Sequence, residues 1–361
     1  MVIIFNEIVR MIAALYTMLF GNKRSNKIVI LSFHLLGDTV STFSAIKLVK
    51  QKFGNDSIHL FCYDTSEPIY RIKYPDLNYI TFNSGEIDLF KKKINLKFLK
   101  LHSKIKQLKP RLVFDITSSI KTSVVTIGSG SDVRVGFGNR YLRGFFTHFI
   151  LFNVDQHVSN YYLSTVNNYL NENTGQIPEV FHVNYNSNDK ILVNPFAGWE
   201  AKRWSLKNFL VLTKELNKKY DTALLFEEGL MPVEIENDLR RKEISFIKSS
   251  SISDLINILK ECSLLISNDT GPILIAALLG KPTFPLYGPT NPIFHVPPGN
   301  NYRYVQENIL CSPRSYQKMC FANGGRGDCP ANECMRLLRY NDVMSEVNRF
   351  IEELKINPRL N

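Results

Sequence analysis

The stretch K-I-V-I-L-S-F-H-L-L-G-D-T-V-S-T-F, residues 27–43, decides the fold. It opens with a continuous apolar and β-branched run, Lys27–Ser32, which is typical of a strand buried in a parallel sheet. A loop containing a glycine follows, and from about Thr39 to Phe53 the apolar residues recur at helical spacing. Strand, loop and helix in this order make the first part of a βαβ unit, so the sequence predicts an α/β protein.

The same alternation continues along the chain and restarts after a polar stretch without periodicity at 173–188. Further strands are predicted before that stretch at Ser57–Tyr63, Tyr79–Asn83, Arg111–Ile116 and Val133–Phe137. Strands after it are predicted at Lys190–Asn194, Thr222–Glu227, Leu264–Ser267 and Thr283–Tyr287. Helices are predicted at Leu96–Leu108, Ser205–Tyr220, Ser253–Lys260, Pro272–Leu279 and Asn341–Leu354, and a basic aromatic loop at 138–152. This pattern predicts two successive doubly wound domains.

The length of the chain, 361 residues, also matches two domains. We expect an amphipathic N-terminal helix at 1–26, a Rossmann-like domain at 27–172, a linker at 173–188 and a second Rossmann-like domain at 189–361. Hydrophobic residues make up 44% and charged residues 21% of the chain, which excludes a disordered chain, a collagen-like repeat and a disulfide-rich miniprotein. Six cysteines do not require an oxidising compartment, so a cytoplasmic protein is expected.

The formal net charge is +11, and it is unevenly distributed. Residues 1–188 hold 22 basic and 13 acidic side chains, a net charge of +9, whereas residues 189–361 hold 22 and 20, a net charge of +2. An anionic partner is therefore expected on the first half. Nucleic acid is not expected, because the basic residues lie within an α/β pattern that carries no recognised nucleic-acid-binding motif.

The first twenty residues, M-V-I-I-F-N-E-I-V-R-M-I-A-A-L-Y-T-M-L-F, are mostly apolar. Because Asn6, Glu7 and Arg10 interrupt the run, a membrane-spanning helix is not expected. At helical spacing the more polar residues share one face and the apolar residues another: Asn6, Arg10, Ala13 and Thr17 against Val2, Phe5, Val9, Ile12, Tyr16 and Leu19. Two interpretations stay open, a helix lying on an anionic membrane surface and a helix packed on the domain body or on a dimer partner.

The loop after the first strand carries Asp38 directly behind Gly37. One interpretation makes Asp38 the N-cap of the following helix, since a carboxylate there accepts from free amides and suits the helix dipole. The other makes it a carboxylate at the carboxyl end of a strand, able to take a proton from a substrate hydroxyl. His34 in the same loop is a second candidate base, although a histidine facing solvent is the simpler interpretation.

A loop of the second half, N-P-F-A-G-W-E-A-K-R-W-S at 194–205, carries two cations. Lys202 and Arg203 precede Trp204, and Ser205 is the expected N-cap of the next helix. Two cations beside a helix N-terminus suit a phosphate or diphosphate. The alternative is a solvated basic pair with Trp204 packed inside.

A second loop of this half, S-N-D-T-G-P at 267–272, ends a strand with a tight turn. Asp269, Thr270 and Gly271 form the turn, and Pro272 fits the first helical position. The amides of Thr270 and Gly271 suit phosphate oxygens and Asp269 suits a sugar hydroxyl, whereas the alternative is a well-capped core helix. The segment P-L-Y-G-P-T-N-P at 285–292 ends a strand at the same edge and is expected to shape a pocket wall.

In this order the four segments resemble glycosyltransferase family 9, the lipopolysaccharide heptosyltransferase family, from about residue 27 to residue 350. The matching motifs are Gly37-Asp38, Lys202-Arg203-Trp204, Asp269-Thr270-Gly271 with Ala276-Ala277, Gly280-Lys281-Pro282 and Tyr287-Gly288-Pro289-Thr290. The resemblance implies the GT-B fold, in which two Rossmann-like doubly wound domains face each other across a cleft. It also implies that the first domain takes the acceptor and the second the nucleotide-sugar donor.

For the chemistry, the resemblance implies an inverting glycosyltransferase that requires neither a metal ion nor a cofactor. Asp38 would be the general base, and Lys202 would stabilise the leaving diphosphate. The implied donor site consists of Lys202, Trp204, Asp269, Thr270, Gly271 and Pro272. The implied partners are ADP-heptose or a similar donor and an anionic glycolipid acceptor, with the protein peripheral on the cytoplasmic membrane face.

The chain departs from the family pattern at several positions. Leu274 stands where the family has a histidine, and Arg314 stands where it has the second cysteine of C-x-P-C. The four C-terminal cysteines lack paired C-x-x-C spacing and are expected as free thiols, although a metal site stays open; they are Cys311, Cys320, Cys329 and Cys334.

Two other functions stay open beside transfer to a lipid-linked saccharide. One is a heptosyltransferase that modifies protein, and the other is a catalytically inactive GT-B protein that binds saccharide. A dinucleotide-dependent oxidoreductase is disfavoured, because no G-x-G-x-x-G follows the first strand of either half.

Overall fold

The computed structural model describes residues 1–20, 25–85, 87, 96–152, 157–172, 190–297, 300–313, 317–320, 329 and 331–359. The chain divides into two compact units, Met1–Pro178 and Glu179–Asn361. The division falls within the predicted linker, 173–188, and those residues lie outside the described part. The exact domain limits therefore stay a prediction.

The N-terminal unit is built on a six-stranded parallel sheet of order β3-β2-β1-β4-β5-β6. Its strands are β1 (Ile28–Leu31), β2 (Ile58–Tyr63), β3 (Asn78–Phe82), β4 (Leu112–Asp115), β5 (Val133–Gly138) and β6 (His148–Leu151). Its helices are α1 (Val2–Phe20), α2 (Leu36–Ser41), α3 (Phe43–Phe53), α4 (Glu67–Lys73), α5 (Leu96–Leu108), α6 (Ile120–Gly128) and α7 (Val158–Leu170). All four residues of β1 are buried, as expected for a strand covered on both faces.

The C-terminal unit repeats this architecture with the strand order β12-β11-β10-β7-β8-β9, again all parallel. Its strands are β7 (Lys190–Asn194), β8 (Asp221–Glu227), β9 (Phe246–Ser249), β10 (Cys262–Asn268), β11 (Thr283–Tyr287) and β12 (Val305–Gln306). Its helices are α8 (Leu206–Asn217), α9 (Val233–Arg241), α10 (Ile252–Lys260), α11 (Gly271–Leu278), α12 (Pro292–His295), α13 (Glu333–Arg336) and α14 (Tyr340–Leu354). Two parallel α/β sheets were predicted, and the structure confirms them.

Two predicted elements of the N-terminal unit were wrong in detail. The single helix expected from about Thr39 to Phe53 is two helices that meet at Thr42, whose hydroxyl donates to the Thr39 carbonyl oxygen at 2.8 Å and lies 3.0 Å from the hydroxyl of Tyr70. The loop expected at 138–152 contains β6, which pairs with β5 from His148 opposite Val135. Long-range pairing with β5, which no local pattern of this segment reveals, makes it a strand.

The helix α1 packs on the N-terminal unit, as one of the two interpretations predicted. Its buried residues come from both of the faces seen in the sequence, Asn6 and Ala13 from the more polar one and Val9 from the apolar one. Ile12 and Leu19 of the apolar face are more than half exposed. The helix lies against the short 3-10 turn at 143–145 and against α6. The inner contact therefore lies between the two faces, and most of the large apolar side chains point outward.

By length and composition α1 also qualifies as a membrane span. Its residues Val2–Leu19 have a mean hydropathy of 1.7, and only 11% of that window is buried. However, the helix is bonded to the unit near both ends, through Asn6 to the Arg140 carbonyl and through Tyr16 to the Gly128 carbonyl. A helix docked along a domain in this way is not surrounded by lipid, so the docked state is not a transmembrane one.

Candidate functional site

The candidate site residues follow the central strands of each sheet. In the N-terminal unit the strand order reverses between β1 and β4, and Asp38 follows β1. In the C-terminal unit it reverses between β7 and β10, Lys202 follows β7 and Asp269 follows β10. Ligands of open α/β sheets bind outside the carboxyl ends of strands at such switch points. The three residues thus lie where the topology of each unit predicts a ligand site.

Asp38 lies in the first turn of α2 and is half-buried. It is not the N-cap, because that position is occupied by Leu35, and no side chain caps the helix. Among the described residues its carboxylate makes no hydrogen bond or ion pair, and its charge adds to burial in raising the pKa of Tyr162 well above the ordinary value. A half-buried carboxylate without an ionic partner, at the carboxyl end of a strand, is placed to accept a proton.

Buried hydroxyl groups hold the loop that carries Asp38. The Thr39 hydroxyl donates to the Leu35 carbonyl oxygen at 3.0 Å, and the Ser66 hydroxyl donates to the His34 carbonyl oxygen at 2.8 Å. Nearby, the hydroxyl groups of Ser32 and Tyr70 are 2.6 Å apart. Because these groups are buried and bonded, the backbone that carries Asp38 is held in one conformation.

His34 does not face solvent, as its simpler interpretation predicted. The ring is buried, lies edge-on to Tyr162 with 5.0 Å between centroids, and places Nε2 2.9 Å from the Ile116 carbonyl oxygen. This bond ties the β1 loop to the end of β4. Because Nε2 of His34 is hydrogen-bonded within the protein and the ring is buried, Asp38 is the better candidate base.

Asp115, the last residue of β4, is a buried carboxyl that the sequence analysis missed. Its Oδ1 accepts from the backbone amides of Thr117 and Ser118 at 3.0 and 3.3 Å, whereas Oδ2 has no hydrogen-bond partner. Burial raises the pKa of Asp115 to about 7, against the opposing effect of these bonds. The turn that it holds places Ser118 at a φ of 59°, a left-handed conformation that costs energy for a residue with a side chain.

The stability of the N-terminal unit is expected to depend on the protonation of Asp115. Because the pKa of Asp115 is raised in the folded state, the protonated carboxyl contributes to the free energy of unfolding. This contribution is fully present below about pH 4 and is lost as the pH rises through about 7. Relative to Asp115→Asn, the free energy of unfolding should fall by up to about 4 kcal/mol over that range. Urea titrations at several pH values, followed by circular dichroism, measure this difference. Asp76→Asn, at an exposed carboxyl of the same unit, should leave the pH dependence unchanged.

Lys202 and Asp269 form a close ion pair at the switch point of the C-terminal unit. The Lys202 ammonium lies 2.6 Å from Asp269 Oδ2, and the two side chains are only 18% and 12% exposed. The ammonium also lies 4.7 Å from the centre of the Trp199 ring. Burial acts to raise the pKa of Asp269, but the charges of Lys202 and His295 and two hydrogen bonds outweigh it and lower that pKa. The pair is a preformed charged site.

Thr290 completes this cluster, and its role was not recognised from the sequence. Its hydroxyl donates to Asp269 Oδ2 at 2.7 Å, so this oxygen accepts from both Thr290 and Lys202. Among the described residues Asp269 Oδ1 accepts no hydrogen bond, which leaves it available to a hydroxyl group of a ligand. The segment around Thr290 was predicted only as a pocket wall, because a contact across 21 positions leaves no local signal.

The helix α11 begins beside this cluster, as the sequence predicted. Its N-cap is Thr270, its first residue is Gly271, Pro272 is in its first turn, and no side chain caps its first amides. An uncapped helix start next to a lysine is a ready site for an anion such as phosphate. Leu274, at the position of the family's histidine, is half-buried in the same helix and brings no polar atom.

Trp204 was assigned to the donor site, and its placement corrects that assignment. Its indole is 1% exposed, packs edge-on against Phe209 and donates from Nε1 to the Leu338 carbonyl oxygen at 2.9 Å. Its backbone amide donates to Asn268 Oδ1 at 2.9 Å, which ties the β7 loop to the end of β10. Trp204 therefore anchors the loop in the core and leaves the charged contacts to Lys202.

The four C-terminal cysteines are free thiols. Cys334 is buried, and burial followed by the nearness of the other three thiols raises its pKa to about 11. A Cβ added at Gly288, just after β11, would lie 3.2 Å from the Cys334 sulfur, so this cysteine packs on the β11 loop. Within the described ranges, no three His, Cys, Asp or Glu side chains are placed to hold a metal ion. Arg314 lies outside the described residues.

Comparison with curated proteins links the chain to heptosyltransferases. It is 26% identical over 173 residues to lipooligosaccharide heptosyltransferase 2 of Campylobacter jejuni subsp. jejuni serotype O:2, a match that covers 45% of this chain and 51% of that protein. The chain thus spans about half the length of the curated relative that it matches.

Solved structures share the fold over almost the whole chain. The structure of Escherichia coli ADP-heptose LPS heptosyltransferase II superposes with a TM-score of 0.69 at 16% identity, covering 91% of this chain and 99% of that one. A glycosyltransferase family 9 protein from Veillonella parvula gives a TM-score of 0.70 at 17% identity, covering 91% and 98%. These likenesses confirm the predicted GT-B fold class.

The profile of glycosyltransferase family 9 (heptosyltransferase) matches residues 98–323, which is more than half of the chain. This range contains Lys202, Asp269 and the start of α11, and it begins after Asp38. The chain belongs to glycosyltransferase family 9, the family that its loop motifs predicted.

Proposed function

We propose that this protein is an inverting glycosyltransferase that moves a heptose or a similar sugar from an ADP-linked donor to a lipopolysaccharide-type saccharide. The observation that carries the proposal is the Lys202–Asp269 ion pair beside the uncapped start of α11. Family membership supports the same reaction class. The proposed place of action is the cytoplasmic face of a membrane, where the protein is peripheral and meets an anionic glycolipid.

On the donor side, the charged cluster supplies what a nucleotide diphosphate sugar requires. The Lys202 ammonium and the first amides of α11 bind the diphosphate and stabilise the negative charge that grows as the bond to the sugar breaks. Asp269 Oδ1 accepts from a sugar hydroxyl, while Oδ2 holds Lys202 and Thr290 in place. This chemistry assigns no step to a metal ion.

On the acceptor side, Asp38 removes the proton from the acceptor hydroxyl as its oxygen attacks the anomeric carbon. The bond from that carbon to the diphosphate breaks, ADP leaves, and the configuration at the carbon inverts. The half-buried carboxylate without an ionic partner supports this role, because it is not already neutralised by a cation.

The test is transfer from a panel of nucleotide sugars, including ADP-heptose, ADP-glucose and UDP-glucose, to a delipidated lipopolysaccharide core. We expect ADP release with the ADP-linked sugars and a product of inverted configuration by NMR. Release of UDP instead would contradict the assigned nucleotide, and retention of configuration would contradict the mechanism. Tight ADP binding without any release, with saccharide or with protein acceptors, would make this an inactive binding protein.

A further inference from the structure

The helix α1 is held on the N-terminal unit by a specific polar clamp. Asn6, only 7% exposed, donates from Nδ2 to the Arg140 carbonyl oxygen at 2.9 Å and accepts on Oδ1 from the Gly144 amide at 2.7 Å. A Cβ at Gly144 would lie 2.6 Å from the Asn6 carbonyl oxygen, so only glycine allows this approach. The side chain of Asn6 thus satisfies two backbone groups of one loop, and the helix is fixed to that loop.

The opposite face of α1 is an apolar stripe along the length of the helix. Its large side chains are all more than half exposed: Ile3, Ile4, Ile8, Met11, Ile12, Leu15, Met18 and Leu19. Scattered exposed apolar residues are ordinary, but a continuous helix face of this kind indicates an interaction surface. Because Asn6 fixes α1 on the unit, the apolar stripe is exposed while the helix is docked.

Charges and an aromatic ring at the ends of the stripe favour a lipid surface as the occupant. The loop held by Asn6 exposes Arg140, Tyr141 and Arg143, with the Arg140 guanidinium 5.7 Å from the centre of the Tyr141 ring. At the other end the Lys106 ammonium lies 5.8 Å from the Tyr16 ring. Cations and tyrosine beside an apolar helix face suit the headgroup region of an anionic bilayer. A second copy of the chain would place cations against cations.

The clamp also sets where this surface lies relative to the acceptor edge, the edge of the N-terminal sheet at which its strands end and Asp38 lies. Asn6 contacts the loop that follows β5, at the carboxyl ends of the strands, whereas Tyr16 donates to the carbonyl of Gly128 at the far end of α6. The N-terminal half of α1 therefore lies beside the same edge of the sheet as Asp38.

We propose that the outer face of α1, with Arg140, Tyr141 and Arg143, is a docking surface for an anionic bilayer, and that Asn6 holds the acceptor edge at the lipid headgroups. The proposal extends the membrane location proposed above, and its test requires no transfer assay, so the two can fail separately.

Co-flotation with vesicles tests the surface. The full chain should bind phosphatidylcholine vesicles that contain phosphatidylglycerol and bind pure phosphatidylcholine weakly. Ile4→Gln with Ile8→Gln and Leu15→Gln should abolish binding. Arg140→Ala with Arg143→Ala should lower partitioning about thirtyfold, at about fivefold per cation. The control is Val211→Gln with Leu230→Gln and Val233→Gln, which alters exposed apolar residues of the other unit. Unchanged binding of the α1 triple variant, or dimerisation without vesicle binding, would overturn the surface.

Fluorescence tests the clamp. Tyr141→Trp adds an indole to the loop that Asn6 holds. Brominated lipids should quench the fluorescence of this indole in vesicle-bound protein. Adding Asn6→Leu, which keeps the apolar face but removes both hydrogen bonds, should remove this quenching and lower vesicle binding no further than the Arg140→Ala with Arg143→Ala variant does. Gly144→Ala should have the same effect, because the added methyl group collides with α1 from the other side. Quenching that survives both substitutions would overturn the clamp.

Discussion

Replacing Asp38 by asparagine or alanine is expected to lower the transfer rate at saturating donor by about 10²–10⁴-fold, the usual contribution of a general base. The carboxylate is half-buried, lies at the carboxyl end of β1 and makes no ion pair among the described residues. Removing it leaves the acceptor hydroxyl protonated as it attacks. The proposed donor groups belong to the C-terminal unit, so the affinity for ADP should stay within about threefold of the original.

Single-turnover rates and ADP binding by calorimetry measure the two parts of this prediction. Asp76→Asn is the matched control, since it removes an exposed carboxylate of the same unit and should leave both quantities unchanged. His34→Gln tests the second candidate base. Because the His34 ring is buried and bonded to the Ile116 carbonyl, this substitution should lower the free energy of unfolding more than the transfer rate. If Asp38→Asn turned over at the original rate, another group would be the base.

The inner strands of both sheets were predictable because a strand buried on both faces leaves a continuous apolar run in the sequence. The start of α11 was predictable too, because Gly271 and Pro272 are typical of the first turn of a helix. Gly37, in contrast, lies within α2 and not in the predicted loop. The edge strands β6, β9 and β12 were not predictable, since each is short and is defined by pairing with its neighbour in the sheet. A local pattern therefore locates central strands better than edge strands.

The candidate site was predictable in its charged residues and not in their surroundings. Lys202 and Asp269 were both found, but nothing in the sequence shows that they pair, or that Thr290 binds the same carboxylate oxygen. Trp204 was misplaced because an aromatic residue beside two cations is typical both of a ligand site and of a loop anchor. Asp115 was missed since its burial depends on the whole sheet.

The sequence did not determine which face of α1 packs on the protein. The usual rule places the apolar face of an amphipathic helix against the protein, and it assumes that water covers the other face. Here Asn6, Val9 and Ala13 form the inner contact, and most of the large apolar side chains of the helix are exposed. The assumption of water on the outer face does not apply to α1 if that face contacts lipid, as we propose.

Replacing Lys202 by methionine is expected to weaken ADP binding about 10–100-fold, the worth of a charge-assisted hydrogen bond to phosphate. The rate of the chemical step should fall further, by about 10²–10³-fold, because the ammonium meets its largest partner charge as the diphosphate leaves. Methionine keeps most of the volume of the side chain. Lys207→Met, at an exposed lysine in the first turn of α8, is the control and should change neither quantity.

The ion pair with Asp269 complicates this experiment, and a double variant resolves it. Losing Lys202 leaves a buried carboxylate unpaired, so Lys202→Met alone would also weaken binding if the lysine served only to neutralise Asp269. Lys202→Met with Asp269→Asn removes that unpaired charge. Should the lysine act only on Asp269, the double variant would recover ADP affinity; should it bind the diphosphate, the affinity stays low while the melting temperature recovers. Recovery of both would refute the phosphate contact and leave the amides of α11 as the diphosphate site.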